Sequence, residues 1–597
     1  MIVSNNKFFD LKLFNKIMRF VNPYRTTYYL LILSAILLSI FSTIQPYLLK
    51  IIIDDYIIKS DLDGLKIIIY LVVFILFLEV IFQFLFIYFA NWLGQTIVKD
   101  IRYNLFNRII NFKMSYYDKN PIGRLVTRTA SDIELISSIF SQGLFMILAD
   151  LLKMSLVIII MLVIDWQLSL IVFSVLPIIV YATKLFQRSM KVAFEDVRNQ
   201  VSILNSFVQE RINGMILVQM FNREKIDKKK FNKINENHKN AWLKTVWYNS
   251  IFFPVAEIST SITIGLLVWF GGISAGLYGT ISIGTIFLFI KMSQMLFQPL
   301  RQIADKFNTL QMGMVAAERV FKIVDMKNNE INNGNKLIKN IKGQIEIKNL
   351  SFSYTEENNY DYVINDLSLK INQGEKIAIV GHTGSGKSTI INLLTRFYEY
   401  NQGEIYIDGI SIKKIKISEI RKNIAVVLQD VFLFADTIYN NVVLFDKKKS
   451  LDEVINISKE IGAHDFINSL PNKYFFNVNE RGVSLSSGQR QLISFLRAYI
   501  TNPSILILDE ATSSIDSYTE ELIQNAIQKI TLGKTSMIIA HRLATIEKAD
   551  KIIVLDNGRI VEFGNHINLL SKGGVYKDLY DSQLKREKNK IKERDLF

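Results

Sequence analysis

The sequence predicts an α-helical membrane domain with six transmembrane helices, followed by a soluble α/β domain. Two observations lead to this fold class. Apolar residues make up 50% of the 597 positions, and a mean hydropathy of +0.22 is high for a purely soluble chain. Long apolar runs alternate with basic stretches as far as about residue 325, whereas short β-rich runs, glycine turns and helices follow.

Six segments are apolar over about the 20 residues that a bilayer span needs. They lie near residues 28–52, 65–93, 143–164, 167–186, 251–269 and 281–298. Buried helices of a soluble core are the alternative, but six segments of this length within 300 residues favour membrane spans.

The basic residues are concentrated in two long connections, 91–141 and 184–249, whereas the alternate connections are acidic, very short or uncharged. Because cytoplasmic loops carry the excess of lysine and arginine, both termini and both long loops are predicted to be cytoplasmic. The chain is thus expected to be a multi-pass protein of the cytoplasmic (inner or plasma) membrane. The basic loops then explain the net charge of +15 without a nucleic-acid partner. The length of both loops predicts that helices 2–5 extend into the cytoplasm.

Composition also predicts the domain boundaries. Residues 1–324 form the transmembrane domain, the Asn- and Lys-rich segment 325–340 a linker, residues 341–580 the soluble domain, and 581–597 a charged tail.

Cysteine is absent, which excludes disulfides, thiolate metal sites and cysteine nucleophiles.

The strongest motif of the soluble domain is GHTGSGKST, which follows the apolar run 377–380 and precedes a helix-like segment. It is the G-x-x-x-x-G-K-[ST] phosphate loop in the strand–loop–helix context that this motif requires. Its glycines let backbone N–H groups converge on phosphate, its lysine reaches the outer phosphates, and its serine ligates Mg²⁺. The predicted ATP-binding residues here are Gly381, His382, Thr383, Gly384, Ser385, Gly386, Lys387, Ser388 and Thr389.

Two carboxylates end another apolar run, 505–508, in the segment PSILILDEATSSID. A carboxylate at the carboxyl end of a strand faces the ligand crevice of an open α/β sheet. Asp509 is therefore predicted to hold Mg²⁺, and Glu510 to polarise the attacking water. His541 ends a further strand-like run, TSMIIAH, of the same predicted sheet.

The stretch VSLSSGQRQL, residues 483–492, allows two interpretations. Serine residues at a helix start are common caps. The free N–H groups and the positive dipole end of such a start also bind phosphate. By themselves the residues favour the cap.

The order of the motifs resembles that of the ATP-binding cassette (ABC) family over residues 344–580: phosphate loop, VVLQD, LSSGQRQ, ILILDE, IIAHR. With six preceding spans, the chain is similar to a half-transporter of the ABC exporter type 1 fold, in the bacterial multidrug or lipid exporter group and its MdlB-like subgroup. The resemblance implies ATP and Mg²⁺ as cofactors. It assigns catalysis to Glu510 and His541, and metal ligation to Ser388, Gln429 and Asp509. It also assigns adenine stacking to Tyr354, Mg²⁺ sensing to Gln429 and a position at the dimer interface to Asp516.

Two cassettes of this family meet head to tail, so that each LSSGQ-type signature closes on ATP held by the partner chain. The resemblance therefore assigns the partner's ATP to Ser486, Ser487, Gly488 and Gln489. Ser487 stands where the family usually has glycine, while the catalytic residues of this chain are intact. In the resembling subgroup such a chain commonly pairs with one of the opposite profile. The resemblance therefore favours, over a homodimer, a heterodimer with a second, related half-transporter whose own catalytic carboxylate is altered.

The function that the resemblance implies is ATP-driven export or flipping of hydrophobic or amphipathic small molecules, drugs or lipids, by alternating access. An ATP-gated channel and an importer built on the same fold are the alternatives. Segments 114–132 and 208–225 resemble the coupling regions of exporters, and Pro121 and Gly123 predict a short helix in the first of them.

Membrane lipids and a hydrophobic substrate are the other expected partners. Charge within a bilayer is costly and often functional, but it also pairs between helices. Both roles are open for the ionisable residues in or near the spans, which are Glu79, Asp150, Lys153, Glu257 and Lys291.

Replacement of Glu510 by Gln is expected to lower ATP hydrolysis at least ~100-fold and to leave ATP binding intact, because an amide keeps the shape of the carboxylate but cannot act as a base. Phosphate release and nucleotide binding by the purified dimer measure the two effects. Hydrolysis near the wild-type rate would falsify the assignment.

Overall fold

The computed structural model describes residues 10–278, 281–326, 334–338, 341–355, 361–446, 448–509, 517–540, 542–582 and 584. The chain divides into two compact units. The first comprises Met1–Asn111 and Pro121–Lys327, and the second comprises Phe112–Asn120 and Asn328–Phe597. The short segment 112–120 therefore groups with the C-terminal unit, although it lies in the N-terminal half of the sequence.

In its described residues, the N-terminal half is mainly helical. Its α-helices are α1 (Leu11–Met18), α2 (Arg25–Ile51), α3 (Leu62–Ile110), α4 (Met114–Lys119), α5 (Ile122–Thr127), α6 (Ile133–Ser138), α7 (Phe145–Ile164), α8 (Trp166–Asn213), α9 (Met215–Met220), α10 (Glu224–Ile273) and α11 (Ile283–Val324). Within the described residues, six helical stretches are long and apolar enough to cross a membrane. The six predicted spans are confirmed.

Three of these helices are far longer than a bilayer requires. Helices α3, α8 and α10 contain 49, 48 and 50 residues. At a rise of 1.5 Å per residue each is roughly 70–75 Å long, against about 30 Å of hydrocarbon core. These lengths agree with the predicted extension of helices 2, 4 and 5 beyond the bilayer, whereas the third stretch, 122–164, is divided into several shorter helical segments. The six-residue helix α9 lies between α8 and α10, the six-residue helix α4 lies between α3 and α5, and Pro121 separates α4 from α5.

Helices α7, α8, α10 and α11 share one apolar core. Met161, Val172, Leu267 and Phe289, one from each helix, are fully buried in it. Since lipid tails are as apolar as these side chains, van der Waals packing rather than the hydrophobic effect holds such helices together.

Buried hydroxyl groups in α2 form hydrogen bonds within the helix itself. Ser39 donates to the carbonyl oxygen of Ala35 at 2.8 Å, and Ser42 and Thr43 donate to that of Ser39 at 3.1 and 3.0 Å. A bilayer offers no water for such groups, so back-bonding to the preceding turn removes the cost of burying them.

The π-helical turn Ile52–Ile57 that follows α2 fixes the start of α11. Asp54 accepts hydrogen bonds from Ser282 Oγ at 2.5 Å and from the backbone N–H of Gly284 at 2.8 Å. A Cβ at Gly284 would come within 2.5 Å of the carbonyl oxygen of Lys50. The acidic connection seen in the sequence therefore supplies a carboxylate cap to a helix N-terminus, where negative charge is stabilising.

Ionisable side chains of the spans interact between helices. Asp150 of α7 forms an ion pair with Lys306 of α11, and both side chains are largely buried. Lys153 of α7 interacts electrostatically with Asp150 and with Glu79 of α3. An interhelix ion pair thus involves Asp150, and interhelix electrostatic attraction involves Lys153 and Glu79. Glu257 and Lys291 are exposed in the single chain.

Two sheets form the second unit. Its strands are β1 (Ile345–Phe352), β2 (Ile364–Ile371), β3 (Lys376–Gly381), β4 (Gln402–Ile407), β5 (Ile410–Ser411), β6 (Ile424–Val427), β7 (Ile505–Asp509), β8 (Thr535–Ile539), β9 (Lys551–Asp556) and β10 (Arg559–Gly564). The smaller sheet has the antiparallel order β2-β1-β4-β5, and the larger has the order β10-β9-β3-β8-β7-β6.

The larger sheet is parallel from β9 to β6, with β10 antiparallel at its edge. Strands β7 and β8 are buried along almost their whole length, as expected of parallel strands covered on both faces.

The helices of this unit are α12 (Lys387–Leu394), α13 (Ile417–Asn423), α14 (Ile438–Val443), α15 (Leu451–Ile461), α16 (His464–Ser469), α17 (Ser487–Ile500), α18 (Ser517–Thr531), α19 (Leu543–Glu547) and α20 (His566–Lys572). The predicted soluble α/β domain is confirmed.

Part of the predicted linker is attached to this unit. The backbone N–H of Lys336 donates to the carbonyl oxygen of Lys414 at 3.1 Å, and the N–H of Lys416 donates to that of Lys336 at 3.2 Å. Residues 334–338 therefore follow the surface of the second unit.

A chain that lacks residues 341–597 is expected to remain in the membrane, because the six spans alone supply the apolar length for insertion. Extraction of isolated membranes with high salt and with alkaline carbonate, followed by immunoblotting, measures this. Recovery of the truncated chain in the soluble fraction would contradict the six-span topology.

Candidate functional site

The candidate site lies at one edge of the larger sheet. The carboxyl ends of the parallel strands β3, β8, β7 and β6 meet there. The phosphate loop follows β3, Asp509 is the last residue of β7, and Gln429 comes two residues after β6. Such an edge is where open α/β sheets bind their ligands.

Two glycines shape the phosphate loop. Gly384 has φ of +86° and Gly386 has φ of +99°, in the left-handed region that favours glycine. A Cβ at Gly386 would come within 2.7 Å of the side chain of Ile364. The loop therefore needs glycine at position 386 both for its backbone conformation and for its close approach to β2.

The ammonium group of Lys387 is enclosed by its own loop. Its Nζ donates to the carbonyl oxygens of Gly381 and His382 at 2.9 and 2.8 Å, and the residue is 8% exposed. Burial lowers the pKa of Lys387, and the negative charge of Asp509 counteracts this shift. An anion at the loop would favour the charged form of the lysine further.

Two hydroxyl groups of the loop are placed for a ligand. Ser385 Oγ is buried and has no hydrogen-bond partner among the described residues. An unsatisfied buried hydroxyl is costly, and a phosphate oxygen would satisfy it. Ser388 is exposed, and its Oγ lies 3.5 Å from Oδ2 of Asp509.

Tyr354 lies beside the phosphate loop helix. Its hydroxyl donates to Oγ1 of Thr389 at 3.2 Å and accepts from Nδ2 of Asn392 at 3.3 Å. Its side chain is partly exposed (37%), which leaves surface for a stacking base. Gln429 is exposed as well.

Comparison with known proteins agrees with this geometry. Residues 28–300 match the family described as ABC transporter transmembrane region, and residues 364–513 match the family described as ABC transporter. The chain is 35% identical to the uncharacterized ABC transporter ATP-binding protein YknV of Bacillus subtilis, over 95% of this chain and 94% of the relative. The chain belongs to the ABC transporter family.

Other relatives of this ABC transporter carry functional names. It is 32% identical to the ATP-dependent lipid A-core flippase of Haemophilus ducreyi, over 96% of this chain and 98% of the relative. It is 35% identical to the probable multidrug resistance ABC transporter ATP-binding/permease protein YheH of Bacillus subtilis, over 89% of this chain and 79% of the relative. The ATP-binding domain makes the chain an ATP-hydrolysing transporter.

The signature segment of this ABC transporter begins helix α17. Ser486 is the N-cap: its Oγ accepts from the backbone N–H of Gln489 at 3.2 Å, and Gln489 Oε1 accepts from the N–H of Ser486 at 3.0 Å. This reciprocal pair is a capping box. Ser487 is exposed and Gly488 is buried. The cap interpretation of the two serines is therefore correct for Ser486, and its geometry is compatible with a phosphate at the same helix end.

Three predicted residues lie outside the described part of the chain. They are Glu510, Asp516 and His541. The structure also shows a contact that the sequence did not indicate: the hydroxyl of Tyr398 donates to Asp118 of α4. No motif spacing relates two residues 280 positions apart, so only the tertiary structure could identify this contact.

Replacement of Lys387 by Ala is expected to weaken ATP binding roughly 10- to 100-fold, since a charge-assisted phosphate contact contributes about 1.5–3 kcal/mol. Fluorescent nucleotide titration of the purified protein measures the affinity. Lys370→Ala, at an exposed position of β2, is the matched control and should bind ATP as wild type does. Equal affinity of both variants would contradict the role of Lys387.

Proposed function

We propose that this chain is one half of a dimeric exporter that uses ATP to move hydrophobic or amphipathic small molecules, drugs or lipids, out across the cytoplasmic membrane. The observation that carries this proposal is the presence, on one chain, of six membrane-spanning stretches and a phosphate loop at the ligand edge of an α/β sheet. The names of the relatives, a lipid A-core flippase and a multidrug resistance transporter, favour export over the channel and importer alternatives.

In this proposal the phosphate loop and its neighbours bind ATP. Lys387 would exchange its two backbone carbonyl partners for phosphate oxygens, and the buried hydroxyl of Ser385 would gain a partner. The face of Tyr354 would stack on the adenine. Glu510 would act as the base towards water, and His541 would contact the γ-phosphate.

Mg²⁺ fits the oxygen atoms near Ser388. The ion is commonly bound through one or two carboxylates together with substrate phosphates, and it keeps several waters. Asp509 and Ser388 supply a carboxylate and a hydroxyl within 3.5 Å of each other, and Gln429 adds an amide oxygen.

The proposed dimer completes the ATP site. The N-terminus of α17, with Ser486, Ser487, Gly488 and Gln489, would bind the ATP of the partner chain. We propose a heterodimer, with this chain's Lys387 and Glu510 in the site of faster hydrolysis. Ser487 would lie in the slower site, since its side chain stands where backbone approaches phosphate.

We further propose that both termini and the loop helices α4 and α9 are cytoplasmic. The basic residues of both long connections support this orientation. When ATP closes the cassettes, the loop helices would move with them. This movement would shift the membrane helices that are adjacent to the loop helices in the chain. Asp150, Lys306 and Lys153, which already interact among the spans, would hold those helices in register.

Expression of this chain alone tests the heterodimer. We expect a chain that is largely monomeric or has low ATPase activity, because the composite site of faster hydrolysis needs the partner's signature. Light scattering in detergent and phosphate release, compared with those of the complex purified from the native membrane, measure both properties. A stable homodimer with the native ATPase rate and native stimulation by amphipathic compounds would rule out the heterodimer.

A further inference from the structure

Three aromatic rings form a cluster at the adenine side of the candidate site. The ring of Tyr354 lies edge-on to Phe352, with centroids 4.7 Å apart, and edge-on to Tyr398, with centroids 4.9 Å apart. Phe352 and Tyr398 also contact each other, at 5.8 Å. Edge-to-face pairs of this kind favour particular ring orientations. A change in the orientation of one ring therefore alters its packing against the other two.

The other side of Tyr398 contacts a segment from the membrane-domain sequence. Its hydroxyl donates to Oδ2 of Asp118, which lies in α4. Residues 112–120, which include α4, belong to the same compact unit as Tyr398. Burial and the neighbouring carboxylate of Asp118 raise the pKa of Tyr398, so its phenol remains a neutral hydrogen-bond donor at physiological pH.

The turn that carries Tyr398 is held firmly. The buried guanidinium of Arg396 donates to Glu399 at 2.7 Å and to the carbonyl oxygen of Ile412 at 3.1 Å. Arg421 donates to the carbonyl oxygens of Thr395 and Arg396, both at 3.2 Å. These charge-assisted hydrogen bonds stabilise the backbone of the turn that carries Tyr398.

We propose that Tyr398 is a positioning residue that links the ring of Tyr354 to α4, so that the nucleobase, and not the phosphates alone, sets the position of α4. The proposal rests on the proposed stacking of adenine on Tyr354. A base on the face of Tyr354 fixes that ring, the edge contact fixes Tyr398, and the hydroxyl of Tyr398 then holds Asp118. Helix α4 follows the membrane helix α3 in the chain and precedes the short helix α5. One hydrogen bond would therefore couple base binding to the position of the chain that leads into the membrane domain.

Tripolyphosphate is the sharpest probe, since it has the phosphates of ATP without the base. Hydrogen exchange is measured on the full-length native dimer carrying Glu510→Gln, with ATP, with tripolyphosphate and without ligand. We expect both ligands to slow exchange at residues 381–389, and only ATP to slow exchange at residues 112–120, by about threefold or more. Equal slowing at 112–120 by both ligands would overturn the proposal.

Variants test the hydrogen bond itself. Tyr398→Phe keeps the ring and removes the hydroxyl, so ATP should no longer slow exchange at 112–120 while it still protects the phosphate loop. Asp118→Ala should have the same effect, and Asp118→Asn, which keeps an acceptor oxygen, should restore most of the response. Tyr400→Phe is the matched control, because it removes a hydroxyl two residues away that donates to Glu404.

The outcomes separate this inference from the proposed function. A full ATP response at 112–120 in Tyr398→Phe would overturn the role of Tyr398 alone. Absence of ATP protection at residues 381–389 in the unaltered Tyr398 chain would instead overturn the proposed nucleotide site. A loss of response in Tyr400→Phe as large as in Tyr398→Phe would show a general effect of hydroxyl loss on this turn, and would also overturn the proposal.

Discussion

The enclosed ammonium of Lys387 is the feature on which the rest of the site depends. It is buried, it is held by two backbone carbonyl oxygens, and Asp509 is the carboxylate that acts on its charge. A buried cation with only neutral oxygen partners is costly unless an anion joins it. The loop also encloses the unsatisfied hydroxyl of Ser385. In the proposed function, a phosphate oxygen would give the hydroxyl a hydrogen-bond partner, and its negative charge would stabilise the ammonium.

The membrane half of the chain meets a related constraint in a different way. Its buried hydroxyl groups bond to the preceding helical turn, and Asp54 caps the start of α11. Asp150 and Lys306 form an ion pair between α7 and α11. In each case the polar group is satisfied within the chain, and for the groups inside the bilayer hydrocarbon offers no alternative partner. Polar groups that are satisfied in this way stabilise the domain.

The phosphate loop and the loop helix α4 are brought into one compact unit by the turn at Tyr398. This turn follows α12, the helix that begins with Lys387. This helix has Lys387, the proposed phosphate-binding residue, at its start, and Tyr398, which contacts α4, lies four residues after its end. In the proposed function, nucleotide binding and the contact with α4 therefore involve the two ends of one short helix.

The sequence by itself determined the two-part architecture, the six spans, the long helices and the phosphate loop, because apolar length, charge distribution and glycine spacing are local properties of the chain. It also placed Asp509 at a strand end, since a run of apolar residues followed by a carboxylate is a local pattern. The tertiary structure decided which distant groups meet: Lys306 with Asp150, Asp54 with the start of α11, and Tyr398 with Asp118. These contacts depend on strand order and helix packing. A single sequence contains no periodicity that records which residues of different elements come together, so packing alone selects them.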